Sequence, residues 1–182
     1  MFTYALDERT FLKPLAREDV QPLFELTELS RERLRQWLPW VDHTTEMSHT
    51  EQYVQGAQQM AAEKGAITAG IWIDRELAGI ISYHAINWEH RSVSIGYWLG
   101  HGYEGHGIMT NACRVFVNHA LVDLDLHRVE IRCATANRRS RGIPERLGFV
   151  LEGIIREAEK LPQGYVNHAV YGMLQSEWKQ LR

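Results

Sequence analysis

The sequence predicts an α/β protein of the α+β kind: a mixed, mostly antiparallel twisted sheet of about seven strands, flanked by helices. Three observations predict it. Short stretches of strand length alternate apolar and polar residues, other stretches repeat apolar residues at helical spacing, and the two kinds interleave along the chain. One strand–helix–strand unit, opened by a glycine-rich turn, should leave its two strands parallel within the antiparallel meander. With 182 residues the chain fits one domain spanning 1–182, and such a length buries roughly 70% of its unfolded surface without disulfide or metal.

The elements follow in order. Thr10 to Leu15 reads as a short strand, and Asp19 is placed to cap a helix with Val20, Leu23, Phe24 and Leu26 on one face. That helix breaks at Pro39, because proline disfavours helix in the residue before it. Trp37 and Trp40 beside the bend fit core packing, a dimer contact or the wall of a substrate groove. Ser48 and Glu51 have capping-box spacing, and the helix they would open runs through Tyr53, Val54, Ala57, Met60 and Ala61 to Gly65. Ile67 to Ile73 and Leu77 to Tyr83 alternate about an Asp74-Arg75-Glu76 turn, which predicts a hairpin. After a polar turn at Asn87 to His90, Val93, Ile95, Tyr97 and Leu99 form a third strand.

Ile108, Ala112, Val115, Phe116 and Ala120 then share one helical face, ending near Asp123. Arg128 to Thr135 alternates as a half-buried strand. Asn137 to Leu147 predicts a short helix closed by Gly148. Val150 to Lys160 and Tyr165 to Leu174 flank Pro162-Gln163-Gly164 as a last hairpin.

Twenty basic against twenty-three acidic side chains give a net charge of −3, which argues against direct nucleic-acid binding. The only cysteines, Cys113 and Cys133, lie in apolar periodic stretches, and no signal-like or membrane-length apolar run is present. A reduced, cytoplasmic protein away from membranes is expected. The histidines, including His84, His90, His119 and His168, show no metal spacing with cysteines or acids, so no metal is expected.

The segment Gly102-Tyr103-Glu104-Gly105-His106-Gly107-Ile108-Met109 runs straight into the predicted central helix. Glycines let the backbone take positive φ and approach a ligand, and a helix start presents unpaired N–H groups, so the stretch reads as an anion cradle suited to a pyrophosphate. A plain strand-to-helix turn would recruit glycine too.

Ser94-Ile95-Gly96-Tyr97-Trp98-Leu99, Gly105-His106-Gly107-Ile108-Met109-Thr110, and Asn137-Arg138-Arg139-Ser140 through Leu147-Gly148-Phe149 with Glu152-Gly153 together resemble the GNAT superfamily of acyl-CoA-dependent N-acetyltransferases. The nearer resemblance is to its RimJ/RimL-like branch, which modifies amino termini of ribosomal proteins, and the likeness spans nearly the whole chain. Two positions depart. Gly102 stands where the family's glycine motif usually opens with Gln or Arg, and Pro144 stands where many members carry the tyrosine that protonates the departing thiolate.

The resemblance implies a splayed parallel strand pair that holds acetyl-CoA as co-substrate. It implies that backbone N–H groups from Tyr103 through Glu104, Gly105, His106, Gly107 and Ile108 to Met109 hold the pyrophosphate. His106 fits either a weak phosphate contact or an exposed loop. Trp98 and Leu99 would border the pantetheine arm, with the Leu99 N–H facing the thioester oxygen; a donor aimed where charge develops is worth roughly 3 to 4 kcal/mol. Asn137 matches the residue that binds the arm and is equally good as a helix N-cap. Ser140 matches a serine near the CoA sulfur and could donate the proton that Pro144 cannot, or simply bond backbone in the first helical turn. Glu159 matches the branch's general base, and strand alternation puts Glu157 on its face, as an acidic substrate wall or a solvated edge. Tyr171 reads as core.

The expected reaction is direct attack of a primary amine on acetyl-CoA, with no acyl-enzyme and with a ribosomal protein's N-terminus as acceptor. A polyamine, an aminoglycoside or an amino acid is the alternative acceptor, and a silent CoA-binding module the alternative class, motivated by Pro144. Branch members are often dimers, and Trp40 or Trp88 would suit a homodimer contact.

Overall fold

The computed structural model describes residues 3–181. Its elements are β1 (Tyr4–Ala5), β2 (Thr10–Pro14), α1 (Val20–Leu34), α2 (Met47–Lys64), β3 (Thr68–Ile73), β4 (Glu76–Tyr83), β5 (Ser92–Leu99), α3 (Ile108–Asn118), β6 (Arg128–Ala134), α4 (Arg138–Arg146), β7 (Val150–Leu161), β8 (Gly164–Leu174) and α5 (Gln175–Gln180). The strands form one sheet in the order β1-β2-β3-β4-β5-β6-β8-β7. That is eight strands rather than about seven: β1 pairs Tyr4 with Leu12 and Ala5 with Phe11, and two residues are too few to show a period.

Every neighbouring pair is antiparallel except β5 and β6, which run parallel. Alternate residues of β4 face opposite layers. Ile81 and Tyr83 join the core under α3, with Phe116, Leu121, Ile131 and Met173. Ile80 joins a second cluster with Leu23 and Leu26 of α1 and Val54 of α2. The sheet thus carries α3 on one face and the α1–α2 pair on the other.

Two helix starts differ from the sequence reading. Asp19 does precede α1, but its buried carboxylate turns back to accept from the Ala16 N–H (2.9 Å) and the Lys13 ammonium (2.8 Å). It stabilises the preceding 3-10 turn and not the helix N-terminus. The Ser48–Glu51 capping box is absent, because the N-cap is Glu46, two residues earlier, and Ser48 donates to Glu46 Oε1 (2.6 Å) instead. The other end fits: α2 closes on Gly65 at φ 71, a left-handed position that favours glycine. Between α1 and α2 the chain forms a short 3-10 turn at Pro39–His43, and Arg31 holds it by donating to the Val41 and Thr44 carbonyls, each at 2.5 Å.

The parallel pair positions the site. β5 and β6 are in register only from Ser92–Arg128 to Ser94–Glu130. Beyond, β5 stays on β4 as far as Leu99, while β6 stays on β8 as far as Ala134. The two strands therefore diverge, and a V-shaped gap opens inside the sheet toward their C-terminal ends.

Candidate functional site

A cavity of about 1820 Å³ runs from the glycine-rich turn, through the gap between β5 and β6, to the α1–α2 turn. At one end stand Gly102, Glu104, Gly105, Gly107, Ile108 and Met109. Gly102, Gly105 and Gly107 have φ of +91°, +87° and +75°, and a Cβ on any of them would meet nothing within 4 Å. The glycines are thus required by the backbone path, while the space beside them is left open to a ligand. Gly107 caps α3, so the first N–H groups of that helix point where an anion would sit. Arg33, Arg139 and Arg146 line the same cavity; Arg33 is paired to Glu104 at 2.6 Å, which ties the turn to α1, and Arg146 donates to Thr110 Oγ1 at 3.0 Å. A backbone nest with arginines about it fits the pyrophosphate and phosphate groups of coenzyme A.

Along the gap, alternation decides which groups are presented. The Ser94 carbonyl accepts from the His84 N–H, one residue past β4 (2.9 Å), and the Gly100 N–H donates to the Ala78 carbonyl of β4 (2.8 Å), so even-numbered residues of β5 spend their backbone groups on that side. Ile95, Tyr97 and Leu99 turn theirs to the opposite edge, and the Leu99 N–H faces the gap. Across from it, Asn137 caps α4 by accepting from the Ser140 N–H (3.1 Å) and also lines the cavity. Both readings of Asn137 are compatible in one geometry.

Ser140 and Tyr97 bridge the gap. The Tyr97 hydroxyl, from β5, donates to the Ser140 carbonyl (2.9 Å), and Ser140 Oγ lies 3.5 Å from the same hydroxyl. Burial pushes the Tyr97 phenol well above its ordinary pKa, so it stays protonated. The sequence reading used Tyr97 only as a strand residue. Cys133 also lines the cavity while 6% exposed, and burial pushes its thiol up to about 11, against a smaller lowering from a hydrogen bond with Ser140. A thiol held neutral is a poor nucleophile.

At the α1–α2 end, Trp37 and Trp40 line the cavity, and Trp40 packs against Trp98 with ring centroids 5.9 Å apart. Neither tryptophan is buried in the core, and both stand at the cavity wall. Glu159 and His168 line the cavity too, with His168 Nε2 3.0 Å from Glu159 Oε2. His84 stands on the same sheet face. Its Nδ1 is 2.8 Å from Ser94 Oγ, and its ring lies where Gly96 lacks a side chain, Nε2 being 2.7 Å from the position of a Cβ there. Protein packed about the ring, and then the Arg132 charge, hold the His84 pKa below its ordinary value.

Three predicted residues fall outside the cavity lining. Tyr103 packs against the α1 cluster with its hydroxyl 3.3 Å from Glu76 Oε2, and His106 is an exposed loop residue; the Tyr103 N–H donates to the Gly100 carbonyl (3.4 Å), so the turn itself uses that group and it does not join the cradle. Glu157 is the third, and it does not share a face with Glu159. Ile155 pairs with His168 and Glu159 with Val166, so Arg156, Glu157 and Ala158 together oppose Asn167 alone. In this bulge Glu157 has φ 49 and its N–H donates to Asn167 Oδ1 at 2.8 Å. Period-two alternation assumes an unbroken ladder, and two additional residues in β7 give Glu159 the place Glu157 would have had. Tyr171 is buried as expected, and its hydroxyl donates to Glu145 (2.6 Å) while accepting from Arg141 (2.9 Å).

Comparison with known proteins agrees with this geometry. Residues 9–150 match the family described as acetyltransferase (GNAT) domain. The putative ribosomal N-acetyltransferase YdaF of Bacillus subtilis (strain 168) is 33% identical over 180 residues, covering 98% of both chains. The ribosomal-protein-serine acetyltransferase of Escherichia coli (strain K12) is 30% identical over 172 residues, covering 94% of this chain and 96% of that one. Among solved structures, RimL, a ribosomal L7/L12 alpha-N-protein acetyltransferase in complex with coenzyme A, superposes with a TM-score of 0.92 at 27% identity, over 97% of this chain and 99% of that one. A splayed parallel pair, a glycine-rich helix start at its mouth and near full-length relatives identify the chain as a member of the GNAT acetyltransferases, in the RimL/RimJ-like branch.

Proposed function

We propose that this GNAT acetyltransferase acetylates the N-terminal amine of a protein, a ribosomal protein being the acceptor class toward which its relatives point. The observation that carries the reading is one continuous cavity with two chemically distinct ends, an anion cradle at Gly105 to Met109 and a carboxylate with aromatic walls at Glu159, Trp37 and Trp40. The bound co-substrate supplies an acetyl thioester. Backbone N–H groups at the α3 start and Arg139 and Arg146 hold its phosphates, and Asn137 lies alongside the arm in the gap. The Leu99 N–H takes up negative charge that builds on the thioester oxygen. Glu159 removes the proton from the incoming ammonium, directly or through water, and Ser140 Oγ provides the proton for the departing sulfur.

The work asked of Glu159 supports this acceptor class. A terminal amine with pKa near 7.7 to 8.0 is roughly 10% neutral at pH 7, whereas a lysine near 10.4 costs about 3.5 kcal/mol more to deprotonate. A single carboxylate suffices for the first and is a poor match for the second.

The test is thiol release from acetyl-CoA with peptides bearing free Ser or Ala termini, alongside calorimetric CoA binding. Glu159→Gln and Ser140→Ala are expected to lower kcat by about a hundredfold or more, in line with general acid–base catalysis, and to keep CoA binding. Gly107→Val should do the reverse and weaken CoA binding, because φ 75 strains a branched residue and its side chain would fill the open space where the pyrophosphate would lie. Full kcat in both catalytic variants would show that these residues do not have the assigned roles.

A further inference from the structure

The Glu159 carboxylate is on a poorly supported piece of chain. β7 is an edge strand of the sheet, and Glu159 follows directly on its bulge. A glutamate so placed would sample several rotamers, and freezing it costs up to about 2 kcal/mol. What holds it comes from β8. His168 lies on an interior strand, in register with Ala134 of β6 on one side and Ile155 of β7 on the other. Its side chain is 17% exposed against 31% for Glu159. Because Glu159 pairs with Val166, His168 is its diagonal neighbour on the same sheet face, which brings Nε2 to 3.0 Å from Oε2.

We propose that His168 is the positioning residue for the base, an imidazole that fixes the Glu159 carboxylate toward the acceptor amine. The inference rests on the reading of Glu159 as that base. In this contact the Nε2–H donates to Oε2, so the imidazole orients the carboxylate through one oxygen. The contact engages one oxygen and leaves Oε1 to receive the amine proton. The neighbouring groups favour this division: Arg132, two residues from Ala134 and on the same face, is paired to Glu130 at 2.5 Å, which directs its charge away from Glu159. A regular β7 would have placed Glu157 beside His168, so the bulge selects which of two glutamates the imidazole orients.

A well-placed general base is worth roughly 100- to 10,000-fold, and a misplacement of about an ångström costs about a hundredfold. With the peptide acceptors above, His168→Ala is therefore expected to lower kcat between about tenfold and a hundredfold, with acceptor KM, CoA binding and thermal midpoint little changed. His168→Gln, whose amide can donate to Oε2 from a similar reach, should recover most of the lost kcat. In a Glu159→Gln background, His168→Ala should add no further loss. A crystal structure of His168→Ala, which needs no acceptor, should show the Glu159 carboxylate in more than one rotamer.

The outcomes separate the two claims. Full kcat in Glu159→Gln would remove the base reading and the inference with it. Impaired Glu159→Gln together with an unimpaired His168→Ala, or equal losses in His168→Ala and His168→Gln, would overturn the positioning role alone. So would a single unchanged Glu159 rotamer in the His168→Ala crystal.

Discussion

Gly96 shows how one missing methyl shapes the acceptor side of the cavity. A Cβ there would stand 2.7 Å from His84 Nε2 and 3.2 Å from Cε1, well inside contact distance. Gly96→Ala must therefore turn the imidazole away and break its 2.8 Å bond with Ser94 Oγ. The energetic terms nearly cancel: replacing glycine at a compatible site gains about 0.4 to 1 kcal/mol through the unfolded chain, and a lost hydrogen bond costs about 0.5 to 1.5 kcal/mol. The expected result is a stability within about 1 kcal/mol of wild type, with the His84 ring resonances clearly shifted in a nitrogen-correlated NMR spectrum. Unmoved His84 resonances in the folded variant would show that the ring does not occupy the Gly96 notch. Residue type alone could not reveal this contact. Gly96 reads as one more strand glycine and His84 as one more polar residue at a strand end, and only the β4–β5 register sets one over the other.

At the scale of elements, the glycine-opened α3 start and the parallel β5–β6 pair were legible in the sequence, the gap between them came only from the resemblance, and the bulge was not legible at all. Glycine spacing followed by helical periodicity marks the α3 start, because both signals are local, and the strand–helix–strand order implies parallel β5 and β6 by connection rules alone. The β7 bulge depends on what β8 offers opposite it. Nothing in Arg156-Glu157-Ala158 announces two supernumerary residues, and the group that locks them, Asn167 Oδ1, is ten positions away. The bulge gives a prediction with opposite signs. Glu157→Gly relieves a left-handed backbone that costs a non-glycine residue about 1 to 2 kcal/mol, against about 0.5 to 1 kcal/mol of added chain entropy, so it should be neutral to slightly stabilising. Asn167→Ala removes the bond to the Glu157 N–H and should cost about 1 kcal/mol, while lowering kcat because Glu159 loses its register beside His168. Urea unfolding and peptide acetylation measure both. Equal stability losses in the two variants would mean that the bulge is not held as described.

For the whole molecule, the sheet divides the labour. The α3 face has the larger core, and the α1–α2 face carries the tryptophans, His84, Glu159 and His168 around an open groove. Histidines fall on both sides of that division, and they set how stability should vary with pH. His84 is held below its ordinary value of 6.5 by the protein around it and then by the Arg132 charge. His119, facing the Tyr83 hydroxyl at 3.1 Å, is lowered by burial against a smaller opposing effect of Asp123. For both, the unfolded chain binds a proton more readily than the folded one. Stability from these groups is therefore fully present above 6.5 and declines as pH falls through that value toward the depressed folded pKa values. The lowered carboxylates, Asp7, Asp74, Asp125 and Glu152, act in the same direction but only below their ordinary values of 3.8 to 4.5. The two windows do not overlap, so a scan of thermal midpoint from about pH 7.5 to pH 5.5 isolates the histidines. The midpoint should fall over that range in the wild type, and more shallowly in a His84→Gln/His119→Gln double variant, which has no imidazole at either place to protonate. A wild-type midpoint that stayed level from pH 7.5 to 5.5, or a double variant that declined as steeply, would show that these two rings are as easily protonated in the folded protein as in water.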